Sequence, residues 1–322
     1  MTHGATSVRP SRPLRIGTRG SELARWQAHH VQDLLHAMGA ESELVIIQTH
    51  GDRIDDVPFS KLEGKGFFTK ELEDAQLDGR VDLAVHSMKD LATEVPPGLV
   101  ISALIGREDP RELLLMRPEA VDPSLLAAGN PLPVREGGRI GTSAARRQAQ
   151  VRELRPDLKI ADLRGNVPTR IGRLREGLYD AILLARAGCI RLGLDLTDLH
   201  VERLPVETFV PAPAQGMLAI QCRDDPGLGP FLAGLETGEA ARAVRAERRL
   251  LKKLEGGCQL PFGVNIRPYG DGFRLVCFWC EAADRDAPLR FQLQGGDPQN
   301  LADQAHAIIL DALSSRKKEE TP

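Results

Sequence analysis

Positive charge is unevenly placed along this chain. Between Arg139 and Arg191 stand 12 basic and 5 acidic residues, a local net of +7, so the remainder carries −10 against an overall −3. Placement matters more than number. The run AARRQAQVREL puts Arg146 and Arg147 in the first turn of a predicted helix, where the macrodipole disfavours cations. Arg164 closes the strand-like run LKIADLRG, and Pro168 suits the first position of a following helix, which puts Arg170 in another first turn. Local rules broken in this way mark functional sites. Helix N-termini offer N–H groups to anions, and a guanidinium beside them adds a two-point grip on carboxylate or phosphate. Solvated helix faces account for Arg152, Arg173 and Arg175. For Arg146, Arg147, Arg164 and Arg170 together, an anion-binding cleft is the better reading.

The anion is not a nucleotide by any motif present. Gly64-Lys65-Gly66 lacks the upstream glycine and the Ser/Thr of a phosphate-binding loop, and no GxGxxG opens a helix. None of the eight histidines falls in HExxH, and His29, His30 and His36 read as ordinary positions on one long helix. A carboxylate-rich or phosphate-rich small molecule remains. Two further groups could do chemistry. Lys89-Asp90 follows a strand-like run and, taken alone, reads as a surface ion pair. Cys258 stands after two glycines, with LLKK and Arg248-Arg249 upstream to lower its pKa; taken alone it reads as a small inert hydrophobe.

Five cysteines (Cys189, Cys222, Cys258, Cys277, Cys280) form an odd set, which predicts reduced thiols. Cys277-x-x-Cys280 has redox or zinc spacing, yet it lies inside FRLVCFWCEA, a strand-like run after Gly270-Asp271-Gly272. A redox pair should open a helix and a zinc site needs a second pair, so packing is the expected role. Near-balanced charge and 4% aromatic residues argue against nucleic acid as a partner. No run approaches the roughly 20 apolar residues of a membrane span. The start MTHGATSVRPSRP lacks the apolar core of a signal peptide, which predicts a cytoplasmic protein.

The elements that must position these residues repeat. Arg15-Ile-Gly-Thr18 and Arg139-Ile-Gly-Thr142 are the same four residues, 124 positions apart, each preceding a serine able to cap a helix, Ser21 or Ser143. The helices read ELARWQAHHVQDLLHAM and AARRQAQVREL. A second echo follows: Gly79-Arg-Val-Asp82 before LAVH, and Gly177-Leu-Tyr-Asp180 before AILLA, each a turn feeding a buried parallel strand. Two ordered matches predict a duplicated α/β lobe, with strand-end loops around a common cleft. Pro205, Pro211 and Pro213 precede the strand-like QGMLAIQC and mark a candidate hinge. From about residue 237 a charged helix leads to Gly256-Gly257-Cys258, strand-like runs at 262–268 and 273–280, and an amphipathic helix over about 298–313. The expected division is lobe 1 over 14–105 with 206–236, lobe 2 over 106–205, and a small α/β domain over 237–315. Residues 1–13 and 316–322 are expected as flexible tails.

With these stretches in order, the sequence resembles the hydroxymethylbilane synthase (porphobilinogen deaminase) family. The matching runs are RIGTRGSELARWQ, GKGFFTKELEDAQLDGRVDLAVHSMKD, REDPRELLL, IGTSAARRQAQ, LRGNVPTRIGRLREGLYDAILLARAGCIRLGL, PAPAQGMLAI and LEGGCQLPFGV, over roughly 14–264. The resemblance implies two type II periplasmic-binding-protein-like lobes flanking a cleft, plus a small C-terminal α/β domain. It implies a transferase that deaminates four porphobilinogen molecules and joins them head to tail into linear hydroxymethylbilane, a step of tetrapyrrole and heme biosynthesis. The primer is a dipyrromethane cofactor held by a thioether to Cys258. Each pyrrole adds an acetate and a propionate, so an arginine-lined cleft must hold a growing polyanion, each charged hydrogen bond contributing roughly 1.5–3 kcal/mol.

By the same resemblance Asp90, with Lys89, is catalytic: its carboxylate accepts pyrrole N–H bonds and stabilises the cationic azafulvene left by ammonia loss. Cys258, Arg146, Arg147, Ser143, Asp90 and Lys89 would hold the cofactor. Arg19, Ser21, Arg164, Asn166, Arg170 and Arg191 would hold substrate carboxylates. No metal is implied. The partners are porphobilinogen and the growing polypyrrole, with neither nucleic acid nor membrane, and a cleft complete within one chain permits a monomer. Ala144-Ala145, Pro168 and Arg186 depart from the family pattern; Arg186 would either tighten product or pair with an acid. The alternative of another class is a non-catalytic carboxylate-binding protein or ligand sensor on the same two lobes. It would need an export signal or a DNA-binding helix-turn-helix, and it has no use for Cys258.

Overall fold

The computed structural model describes residues 10–49, 69–254, 260–281 and 288–319. Cys258, the run Gly64-Lys65-Gly66 and the tail residues 1–9 and 320–322 lie outside the described residues. The chain divides into two compact units, Met1–Glu108 with Gly216–Ala241, and Asp109–Gln215 with Arg242–Pro322.

In the first unit β1 (Leu14–Thr18) leads to α1 (Glu22–Ala37), then β2 (Ser42–Ile46), α2 (Lys70–Leu77), β3 (Leu83–Ser87) and β4 (Leu99–Ile105). Ser21 caps α1, its Oγ accepting the Ala24 N–H at 3.3 Å. The helix buries Gln27, Ala28, Val31 and Leu35, one face at helical spacing. That face packs on Leu14, Ile16, Leu83, Val85 and Ile105, each fully buried aliphatic side chain contributing about 1.5–3 kcal/mol.

The second unit runs β5 (Glu112–Met116), α3 (Pro123–Ala127), β6 (Arg139–Gly141), α4 (Ala145–Leu154), β7 (Lys159–Ala161), α5 (Val167–Arg175), β8 (Ala181–Ala185), α6 (Arg186–Leu192) and β9 (His200–Leu204). The chain then returns to the first unit as β10 (Leu218–Arg223) and α7 (Leu228–Ala233).

The two five-stranded sheets have one plan. Their orders are β2-β1-β3-β10-β4 and β7-β6-β8-β5-β9. In each, the first three strands are parallel and the fourth runs antiparallel to both its neighbours. The echo in sequence is an echo in atoms. Asp82 donates its N–H to the Arg15 carbonyl at 2.9 Å and its carboxylate accepts the Arg15 N–H at 2.9 Å. Asp180 does the same with Arg139, at 2.8 and 2.7 Å. Gly79 and Gly177, three residues before each aspartate, take φ of 71° and 81°, a left-handed turn that favours glycine. Arg12, Arg15 and Arg223 converge on Asp82, and Arg117 and Arg135 on Asp180. The duplicated α/β lobe expected from sequence is therefore present as two sheets of one strand plan.

The remaining elements are α8 (Gly238–Lys253), β11 (Phe262–Tyr269), β12 (Gly272–Trp279), β13 (Leu289–Gly295) and α9 (Pro298–Glu319). β11–β12–β13 form an antiparallel sheet covered by α8 and α9 around Leu250, Val264, Leu275, Ala305 and Ile309. α9 continues through Glu319, into the stretch expected as a tail, and β13 was not anticipated. This small α/β sheet groups with the second five-stranded sheet. Glu247 of α8, fully buried, accepts the Ala214 and Ile266 N–H groups at 2.6 Å each. The proline-rich passage is packed into the same unit: Val210 donates its N–H to Gln150, and the Pro211 carbonyl accepts the Val264 N–H. Among the described residues no helix is long and apolar enough to cross a membrane.

Candidate active site

The candidate residues fall on both units. In the first, β3 runs directly into a single 3-10 turn, Met88–Asp90. Buried Met88 and Leu91 anchor the turn, and the Met88 N–H reaches the Met217 carbonyl at 2.9 Å. Asp90 is exposed between these anchors and Lys89 is half-buried. Pinning the turn at both sides fixes the backbone from which the carboxylate projects before any ligand arrives. Arg19 is half-buried between β1 and α1, beside the capping Ser21.

Beneath that turn lies a polar network the sequence reading missed. His86 Nε2 donates to Gln221 Oε1 at 3.2 Å, Gln76 Nε2 donates to the same oxygen at 3.0 Å, and Gln221 Nε2 donates to Glu73 Oε1 at 3.2 Å. Because an amide oxygen only accepts, the neutral His86 ring carries its proton on Nε2. Burial, with the Arg19 charge adding to it against the Gln221 bond, pulls the His86 pKa down to about 4. Burial also pushes the Glu73 carboxyl up. The available signal was a histidine and a glutamine in otherwise apolar strands, LAVH and LAIQC.

In the second unit the structure places Arg146 and Arg147 on an internal acid. Both are 6% exposed, and between them lies the fully buried carboxylate of Glu112, at the start of β5. Arg146 Nη2 donates to Oε1 at 2.6 Å; Arg147 Nε and Nη2 donate to Oε1 and Oε2 at 3.1 and 2.7 Å. Arg146 Nη1 reaches the Val210 carbonyl at 2.7 Å, and Arg147 Nη1 that of Leu183 at 2.9 Å. Burial lowers the Arg146 pKa from its ordinary value. The cost of two cations in the first turn of α4 is thus offset by Glu112. Sequence reasoning missed Glu112 because its partners lie more than thirty residues away.

Ser143 does not cap α4, contrary to expectation. The N-cap is Ala144, without a side-chain bond, and Ser143 Oγ instead donates to the Leu163 carbonyl and accepts the Leu163 N–H, both at 3.0 Å. Ser143 thereby ties the β6–α4 turn to the loop after β7. Arg164 lies in that loop, past the end of β7 at Ala161 and half-buried. Asn166 caps α5, its Oδ1 accepting the Thr169 N–H at 2.9 Å, so Pro168 is the second helical residue rather than the first. Arg170 Nε donates to the Gly165 carbonyl at 2.7 Å. Gly165 has φ 96°, and a Cβ there would stand 2.8 Å from Thr169 Cγ2, so the loop requires glycine. Arg191, 8% exposed, lies in the last turn of α6, where the helix dipole favours a cation. Arg186 pairs with Asp109, which also takes a two-point bond from Arg111, so of the two readings above it pairs with an acid.

The described cysteines are buried and reduced. Cys277 packs among Phe262, Leu275 and Trp279, and Cys280 beside Val276 and Phe278, so the CxxC pair is core, as expected. Burial pushes the Cys277 thiol up, and that of Cys189 to about 11, which leaves both inert.

Residues 14–227 match the family model described as porphobilinogen deaminase, dipyromethane cofactor binding domain, and residues 241–273 match that of the porphobilinogen deaminase C-terminal domain. A porphobilinogen deaminase of Trichlorobacter lovleyi is 48% identical over 88% of this chain and 87% of that protein. One of Geobacter sulfurreducens is 46% identical over 95% of this chain and 98% of that protein. Among solved structures, an ABC-transporter periplasmic substrate-binding protein from Coxiella burnetii is 14% identical, covering 73% of this chain and 96% of that chain, at a TM-score of 0.42. On its sequence matches, the chain belongs to the porphobilinogen deaminase family.

Proposed function

We propose that the chain is a hydroxymethylbilane synthase: it deaminates four porphobilinogen molecules and joins them head to tail on a dipyrromethane primer held by Cys258. One observation carries this reading, the match to deaminase relatives at 46–48% identity along nearly the whole chain. At each addition the aminomethyl C–N bond breaks, ammonia leaves, and a C–C bond forms to the terminal pyrrole carbon, which gives up its proton. Water then cleaves between pyrroles, so the sulfur link survives turnover.

The chemistry of the donor set fits a primer bearing carboxylate arms. Arg146 and Arg147, after serving Glu112 and two carbonyls, keep half of the N–H groups two guanidinium groups offer. In this reading they hold the primer, with Ser143, Lys89 and Asp90, while Arg164, Asn166, Arg170, Arg191, Arg19 and Ser21 hold substrate carboxylates. The primer supplies the free pyrrole carbon on which the chain grows. Asp90 accepts pyrrole N–H bonds and stabilises the positive charge left on substrate by ammonia loss, with Lys89 beside it; its exposure supports the assignment. The reading keeps the three-domain division 14–105 with 206–236, 106–205, and 237–315. It also has the chain work as a cytoplasmic monomer on porphobilinogen and the lengthening polypyrrole, and on neither nucleic acid nor membrane. The carboxylate-binding or sensor alternative is not favoured, because the matched family models include the one for cofactor binding.

Intact mass tests the reading. The wild-type chain should weigh two pyrrole units more than its sequence and turn over porphobilinogen, while Cys258→Ser should weigh its sequence mass and be inactive. A wild-type chain of bare sequence mass, with no turnover, refutes it.

A further inference from the structure

We infer that Glu112 is a positioning residue for the arginine pair Arg146–Arg147, an internal counter-ion that sets the guanidinium planes through which the primer's carboxylates are taken up. The inference rests on the function proposed above. Three facts carry it. The Glu112 carboxylate is fully buried, on the first residue of β5, where strand pairing to Ala185 and Leu204 on either side fixes its backbone. It bonds both arginines, holding Arg147 by two parallel bonds, which fixes a guanidinium plane as a single bond does not. The carbonyls of Leu183, in β8, and Val210 hold the other ends of the two side chains.

The charge follows from the same contacts. Two cations and one anion leave a buried net of one positive charge. Without Glu112, two guanidinium groups on consecutive residues of one helix turn would face each other across a poorly solvated space, and repulsion would splay them. With it, the pair is preset before any ligand binds, and its remaining N–H groups need no reorganisation to meet a carboxylate. Glu112 has no assigned contact with substrate or primer; it acts through the arginines.

The test compares full-length wild type, Glu112→Gln, Glu112→Asp and Leu132→Ala, the last removing a fully buried side chain elsewhere in the same unit. Each is produced in cells that make no porphobilinogen, so that it starts at its bare sequence mass; porphobilinogen is then added, and the appearance of the two-pyrrole mass increment is followed by intact mass, beside the unfolding midpoint. Glu112→Gln should acquire the increment about tenfold to a hundredfold more slowly than wild type, the worth of one charge-assisted bond. Leu132→Ala, destabilised but with the pair intact, should acquire it at the wild-type rate. Glu112→Asp, keeping the charge with a reach one methylene shorter, should fall between. Wild-type loading by Glu112→Gln overturns the inference, as does equal slowing of Leu132→Ala, which would show a purely structural role. Should Glu112→Gln fail to fold, Glu112→Asp decides: slowed loading with a cooperative fold supports the inference, and wild-type loading overturns it. Failure of the wild-type chain itself to gain mass sinks the proposed function instead.

Discussion

Removing the Asp82 carboxylate should unlock the first unit. Its side chain is 2% exposed and accepts the Arg15 N–H at 2.9 Å, a bond worth about 1.5–3 kcal/mol to a charged acceptor. The Arg15 and Arg223 side chains, each about a third exposed, add about half that after solvent screening, and Arg12, 56% exposed, adds less than about 1 kcal/mol. Asp82→Ala should therefore cost about 3–5 kcal/mol, or roughly 10–20 °C in the midpoint of that unit. The acid limb gives an independent reading. Burial pushes the Asp82 carboxyl up, but bonds from Arg12 and Arg15 outweigh it and hold the pKa well below the usual carboxylate range. Its stabilisation is thus complete above the unfolded value near 4 and fades as pH falls towards the folded one. Calorimetry between pH 2 and about 7 should show a shallower acid decline for Asp82→Ala than for wild type. A midpoint within about 2 °C of wild type, or an unchanged acid decline, would refute the reasoning.

Asp90→Asn should lower kcat by about a hundredfold to a thousandfold with KM little changed, and steady-state kinetics at wild-type kcat would remove the assignment. The His86 ring should titrate near 4 by NMR; since the folded pKa lies below the unfolded value near 6.5, His86 costs stability as pH falls from about 6.5 to 4, by about 3 kcal/mol in all, and a ring titrating above 6 contradicts this. Gly216→Ala should lose several kcal/mol in urea unfolding, because φ is 89° and the new Cβ would collide with the Glu108 carbonyl oxygen; an unchanged midpoint would count against the close approach.

Local patterns in the chain carried the repeated architecture far. RIGT and the glycine-to-aspartate turns foretold atoms as well as elements, because a turn and the strand it feeds are encoded within a few residues. α1 and its Ser21 cap were legible for the same reason. What escaped was non-local. Nothing in RELLLM announces that Glu112 will lie between two arginines, or that β5 and β10 will exchange places between the sheets. Ser143 was misread as a cap because Leu163, twenty residues on, offers both a donor and an acceptor to its hydroxyl. β13 was legible and went unread: LRFQLQG alternates apolar and polar residues, and Leu289, Phe291 and Leu293 pack, partly buried, against the core. Of the candidate site, the residue types were legible; the burial of the arginine pair was not.

The exchanged strands give the two lobes different histories during synthesis. Every strand of the second sheet lies between Glu112 and Leu204, so it can close as soon as that stretch leaves the ribosome. The first sheet cannot. β4 ends at Ile105 and its one neighbour among the described residues, β10, ends at Arg223, a wait of roughly 6–24 s at ordinary translation speed. Through that interval the nascent lobe exposes unsatisfied edges on β3 and β4, which makes its first hundred or so residues a natural client for chaperones and leaves a prematurely terminated chain prone to aggregate.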